Sequence, residues 1–518
     1  MTNSKLRAIL YVTAAAAVLT GCGADDVASP GEGNVVIITP PSAPPPPPAP
    51  TPTPTPTSPT TGPAASCPSG TTSIGLVGPN NQARGCQLPN QISGTYNVQN
   101  LAGVVYAFSG RVEVGRDVGG DGAVSGGAAA TLNIEAGVTL FAQSQTSFIV
   151  VNRGSRMNAV GEATKPIIFT SQANVEGTAT DRDYGQWGGI LLLGRGPISN
   201  CLGTGATGGS ASCQQLAEGA GPNDYYGGNQ STDNSGTLPS IQIRYTGRAA
   251  SPNNELQGLT LAGVGSGTIL DYIQSHNSGD DGIEIFGGTA NLRHLILTGA
   301  DDDSYDTDLG FTGTTQFVIG VQNPGFGDRM WEIDSEDGAE DATPRQDTTL
   351  ANFTFIQQGR ETSSAITARG GPDITLLNGV VKGPNTCLDI DSAQTVQATG
   401  PDENGPPRFR SVVFDCDGGA FNGDSDTFEA DSFSTAAGTN NNADFTTSLQ
   451  SVFINGANEN GVTAVANIQS FSPFLQQVDY IGAVKDANDT WYRSWSCNAS
   501  YVGFNSPFTC ANSPLSDR

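Results

Sequence analysis

Short apolar runs rich in Val, Ile, Leu and Phe recur from about residue 92 to residue 470, each closed by Gly, Asn, Asp or Ser. No stretch shows the period of an amphipathic helix, so the runs predict β-strands joined by tight turns. In "GIEIF" (282–286) alternation places Ile283 and Ile285 on one face and Glu284 on the other. With the isoleucines in the core, Glu284 is expected to face solvent. The 67 glycines fit an all-β chain with many turns.

The runs also repeat. "GDDGIEIFGG" (279–288) moved forward 22 residues falls on "DDDSYDTDLG" (301–310), so that Asp281 meets Asp303, Glu284 meets Asp306 and Gly288 meets Gly310. A further 26 residues bring Glu332 into the same slot, and a later step of 22 places Thr367 over Asp389. The apolar neighbours Ile283, Tyr305, Trp331, Ile366 and Leu388 align with them. A propeller blade needs about 40 residues, and the leucine-rich signature is missing. The expected fold is a right-handed parallel β-helix, about 22 residues per turn, in which each strand stacks on its equivalent in the next coil.

Two segments break the period. Residues 196–236 are polar and glycine-rich, which reads as a long inserted loop tied by Cys201 and Cys213. Residues 471–518 concentrate Tyr480, Trp491, Tyr492, Trp495, Tyr501 and Phe504, expected to form a cap over the exposed end of the solenoid, which is taken as residues 67–470. A ligand-stacking platform is the alternative for that tail.

Ahead of the coil, Lys5 and Arg7 precede the apolar "AILYVTAAAAVLT", and "LTGC" ends at Cys22. The run is too short to span a bilayer and reads as a signal peptide over 1–22. Its ending resembles the bacterial lipoprotein signal, which implies cleavage before Cys22 and lipidation of that cysteine. Gly23 in place of an aspartate favours the outer membrane, by the periplasmic or the surface face. Residues 23–66 hold a Pro/Thr-rich stretch (40–63) that favours extended polyproline II, spanning roughly 75 Å. It is expected to act as a stalk.

The eight remaining cysteines fall into near neighbours, Cys67/Cys86, Cys201/Cys213, Cys387/Cys416 and Cys497/Cys510. Proximity selects these four disulfides, and no CxxC is present to support zinc or thiol-redox chemistry. Without Lys5 and Arg7 the net charge falls from −27 to −29. Such a surface repels nucleic acid and attracts divalent cations.

That charge bears on the acidic turns. Glu284, Asp306 and Glu332 in one column, with coils ~4.8 Å apart, would repel one another unless compensated. Calcium accepts six to eight oxygens, and Asp280, Asp281, Glu284, Asp302, Asp303, Asp306, Asp308, Asp328 and Glu332 are the candidate ligands, with Asp301 nearby. A solvated acidic face is the alternative. A second run (414–433) offers Asp415, Asp417, Asp424 and Asp426 but lacks the order of an EF-hand loop. Asp280 and Asp281 resemble one part of the polygalacturonase aspartate set. The histidine and basic pair are missing: His276 and His294 lie in no Gly-His-Gly turn and read as structural. Arg329, Arg360 and Arg369 are conceivable bases for a pectate-lyase-like elimination. No catalytic residue is assigned.

The segment 132–171 looks like the opening turns of many bacterial β-helix proteins. Residues 254–313 and the tail "VDYIGAVKDANDTWYRSWSCN" (478–498) resemble a family of Gram-negative surface lipoproteins often encoded near TonB-dependent receptors. The resemblance implies a lipid-anchored β-helix on the outer membrane. The expected function is binding or scaffolding, with calcium as cofactor and a TonB-dependent receptor or a surface polysaccharide as partner. A polysaccharide-degrading enzyme using turns 280–337 is the alternative.

Overall fold

The computed structural model describes residues 62–249, 254–335, 338–359, 363–422 and 427–516. The signal peptide, Cys22 and most of the proline stalk lie outside them. Residues ahead of the expected boundary at Cys67 already belong to the fold: the Ala64 N–H donates to the Gly103 carbonyl (3.0 Å), and Arg84 Nε donates to the Ala64 carbonyl (2.6 Å).

Among the described residues the strands form two long stacks, one of fifteen and one of ten, in which all pairings but the first are parallel. This is the expected parallel β-helix. Its inward columns are apolar and closely filled. Leu259, Ile283 and Tyr305 follow one another in register, Tyr305 stacks on Trp331 with ring centroids 5.8 Å apart, and Ile366 and Leu388 continue the column. The period is less regular than the expected 22. Glu332 pairs with Thr367, 35 residues on, because loops leave the coil between strands.

The larger stack bends along its length. Ser240, Tyr272, His294, Phe317, Asn352, Asn378 and Ser411 occupy one slot in seven successive coils, each with φ between 51° and 62°. A left-handed residue there turns the strand through a corner. Asn accepts that conformation readily, but Tyr, His and Phe do so at a cost. Stacking offsets it: Tyr272 lies on His294 at 4.3 Å and His294 on Phe317 at 5.0 Å, with rings within 12° and 9° of parallel. Both histidines are structural in this fold. His294 Nδ1 lies 2.7 Å from Asp271 Oδ1, and buried His276 pairs through Nδ1 with Thr298 Oγ1 at 3.0 Å.

The strands of the two stacks end at Cys416, not near 470. The chain then covers the last coil with the short helix Thr427–Ser432 and with Phe433, which stacks on Phe414 at 4.4 Å. The aromatic tail therefore covers the side of the coil and not its end. It runs back along the outside of the larger stack, from Val465 N–H on Asn378 Oδ1, through Ala483 N–H on Thr354 Oγ1 and Cys497 N–H on Gln274 Oε1, to Ser513 Oγ on the Val175 carbonyl. Its Trp495, Tyr492 and Phe504 pack with Ile296, Ile319 and Val321 of the sheet. Disulfides join Cys67 to Cys86, Cys201 to Cys213, Cys387 to Cys416 and Cys497 to Cys510.

Candidate metal centre

Three successive coils build the centre, in strands Ile283–Phe286, Tyr305–Asp308 and Trp331–Ile333 and the turns that lead into them. Asp281 Oδ1 accepts the backbone N–H of Asp303 (3.0 Å), and one coil later Asp303 Oδ1 accepts the backbone N–H of Arg329 (2.6 Å). The same contact is made twice because the same backbone turn is stacked twice. On the strands Glu284, Asp306 and Glu332 stand in register, with Thr260 before them and Thr367 after. The vertical row of acids expected from the 22-residue repeat is present.

The row is not solvated as expected. Glu284 points away from the core, yet its residue is only 6% exposed, and Asp306 is 9% exposed. Two segments that carry no repeat cover this face. Tyr226 of the insertion and Leu256 pack with Phe286, Leu191 and Leu193 on the outer surface of the sheet. The same segments bring Glu218 and Glu255 to the acids, forming a cleft of about 540 Å³ whose described lining comprises ten carboxylate residues, Ala249 and Gly279. Glu218 and Glu255 are the site residues that sequence reasoning missed.

Burial and like charge act together. Burial, then the neighbouring carboxylates, push Asp281, Glu284, Asp303 and Asp306 well above the usual carboxylate range. Asp280 is pushed up to about 8 by burial first, then by Asp302, Glu218 and Glu255. Glu284 Oε2 and Asp306 Oδ1 are buried and accept no hydrogen bond. A buried carboxylate oxygen without a partner is costly, and the cost is relieved by a proton or by a cation. Within each of four groups, Asp280/Asp281/Asp302, Asp281/Glu284/Asp306, Asp302/Asp303/Asp328 and Asp303/Asp306/Glu332, one oxygen from every member lies within 4.8 Å of the others. An all-carboxylate set suits a hard divalent ion such as calcium.

Arginines close the row at one end. Arg329 Nη1 lies 2.5 Å from Asp328 Oδ2 and 3.4 Å from Glu332 Oε1, while Arg369 reaches Glu332 at 3.3 Å and Asp334 at 2.8 Å. Burial alone would lower the Arg329 pKa, but Asp303, Glu332 and Asp328 outweigh it and raise it. The remaining acidic candidates lie elsewhere. Asp308 sits two residues beyond Asp306 on the same strand and accepts the Leu309 N–H (2.6 Å), outside the cleft lining. In the second acidic run Asp415 pairs with Lys382 at 2.8 Å, and Asp424 and Asp426 lie outside the described residues, as does Arg360.

At the rim Tyr184 is 38% exposed and lies so close to Gly279 that a Cβ there would meet its ring at 2.8 Å. Phe326 meets Tyr184 edge-on at 5.9 Å, and the Arg182 guanidinium lies 5.4 Å over Phe326. An aromatic and cationic shelf thus borders the acidic cleft.

A family model described as a pectate-lyase-like β-helix domain matches residues 117–463. No curated protein and no solved structure matches the chain.

Proposed function

The chain belongs to the pectate-lyase-like β-helix domain family, and from that premise we propose that it binds a surface polysaccharide through calcium held in the acidic cleft, without cleaving it. The observation that carries this reading is the pair of buried oxygens, Glu284 Oε2 and Asp306 Oδ1, that lack a partner inside a cleft whose described lining has no basic side chain. Calcium supplies the missing charge and leaves coordination positions for carboxylate or hydroxyl groups of a ligand. The Tyr184–Phe326 shelf offers a sugar an apolar face to pack against, and this favours a polysaccharide over a receptor as the partner. In the same proposal Cys22 carries the lipid that holds the protein on the outer membrane, and among the described residues no helix is long and apolar enough to cross a membrane.

Binding without cleavage is favoured by the state of Arg329. Arg329 is held by Asp328 and Glu332 and its pKa is raised, the wrong direction for a residue that must accept a proton. The family description itself favours a second reading, a polysaccharide-degrading enzyme.

One set of measurements separates these. Calcium at 100 times its dissociation constant is expected to add ~2.7 kcal/mol to stability, so melting should shift upward with calcium and return with chelator. Retention of a polysaccharide should follow the same calcium dependence. An unchanged melt refutes the calcium centre. Depolymerisation that disappears in Asp281→Asn and Asp303→Asn establishes the enzyme instead.

A further inference from the structure

We infer that the cleft holds two divalent cations, one coil apart, with Asp306 as a ligand to both. This rests on the calcium reading above and specifies its stoichiometry. Asp281, Glu284 and Asp306 form one set of converging carboxylates, and Asp303, Asp306 and Glu332 form another. The second set is the first moved by one coil: Asp281 becomes Asp303, Glu284 becomes Asp306, and Asp306 becomes Glu332.

A single ion cannot serve both sets. Glu284 and Glu332 belong to coils two steps apart, roughly 9.6 Å at ~4.8 Å per coil. Calcium–oxygen bonds of ~2.3–2.6 Å let one ion join oxygens at most about 5 Å apart. An ion bound to Glu284 therefore leaves Asp303 and Glu332 to Arg329 and Arg369 alone, and an ion bound to Glu332 leaves Glu284 Oε2 without a partner. Asp306 lies between them and has an unpartnered oxygen, Oδ1, in a residue that is 9% exposed. Glu284 Oε2, 6% exposed as a residue, is the unpartnered oxygen belonging to the first set alone.

The row also has ends. In the column of Asp281 and Asp303 the preceding coil carries Gln257 and the following coil carries Arg329. A neutral amide and a fixed cation stop the repeat on either side, so the motif is complete twice and no more. The outer groups built on Asp280, Asp302 and Asp328 are already partly served. Asp280 accepts from Gln257 Nε2 (3.2 Å), and Asp328 is paired with Arg329. They widen the mouth of the inner pair.

The test is calorimetric titration of the metal-free full chain with calcium chloride, with the number of bound ions counted by native mass spectrometry. Wild type is expected to bind two ions. Glu284→Gln and Glu332→Gln each remove a different ion and retain one, and Asp306→Asn weakens both by at least tenfold. One ion in the wild type, or Glu284→Gln and Glu332→Gln losing the same ion, overturns the pair while leaving a calcium centre. No bound ion in the wild type overturns the pair and the calcium reading together. The wild-type count stands even if a variant fails to fold.

Discussion

Asp280 illustrates how a single side chain in the cleft couples protons to stability. Its pKa rises from 3.8 to about 8 on folding, so between those values the folded protein binds a proton that the unfolded chain releases. The contribution is fully present below pH 4 and is lost as pH rises towards 8. Metal-free wild type should therefore lose stability across this window relative to Asp280→Asn, measured as the difference in their melting temperatures at each pH. A constant difference would contradict the assignment. Calcium competes with the same protons, so it should stabilise more at pH 8 than at pH 5. Glu284, Asp306 and Glu332 were legible in the sequence because the coil repeat, at steps of 22 and 26 residues, places them at one point on successive coils. Glu218 and Glu255 were not legible, since they arrive on chain that obeys no period and their position depends on where Tyr226 and Leu256 pack. Alternation gives the direction of Glu284, away from the core, but not its cover, which is a matter of tertiary packing.

The strands and the tail depend on each other. Parallel strands Gly236–Arg244 and Ile269–His276 present Gln242 and Gln274 outward, where they bond the carbonyls of Trp495 and Cys497. Trp495 is 2% exposed and meets Tyr272 edge-on at 5.7 Å. Trp495→Ala removes a buried indole from the seam and should cost about 3–5 kcal/mol. Chemical denaturation followed by hydrogen exchange checks this, with faster exchange expected first in Gly236–Arg244 and Ile269–His276. An unchanged midpoint would mean that the tail contributes little. The aromatic content of 471–518 announced a covering element, but its path could not be read. The tail has no strand pattern of its own and is guided by outward Asn, Gln and Thr side chains scattered over many coils. The corner column was equally hidden, because Tyr272, His294 and Phe317 have the wrong propensities for a left-handed bend and are held there by one another.

For the molecule as a whole, a repeated coil and its disulfide-tied insertion were readable from apolar periodicity, spacing and cysteine proximity, whereas the way its two ends close was not. Each end is closed by a different device. The antiparallel pair Thr72–Val77 and Ala83–Gln87 with the Cys67–Cys86 disulfide closes the first coil, and Phe433 with Thr427–Ser432 closes the last. Such endings keep exposed strand edges from templating aggregation. The proposed attachment to a membrane is a separate matter and would rest on Cys22. Cys22→Ser should move the protein from the membrane fraction to the soluble fraction and remove the acyl mass from the mature N-terminus. Membrane retention without acyl mass would exclude the lipid anchor.

Ser513 bonds the Val175 carbonyl, and Leu515 packs beside Val77 and Val175, so the last described residues rest against the first coils. The last described residues thus lie beside strand Thr72–Val77, among the first of the fold. A pull between those two points would not draw the stack apart rung by rung. It would peel the returning tail from one side, breaking its contacts in sequence while the stacked coils stay closed.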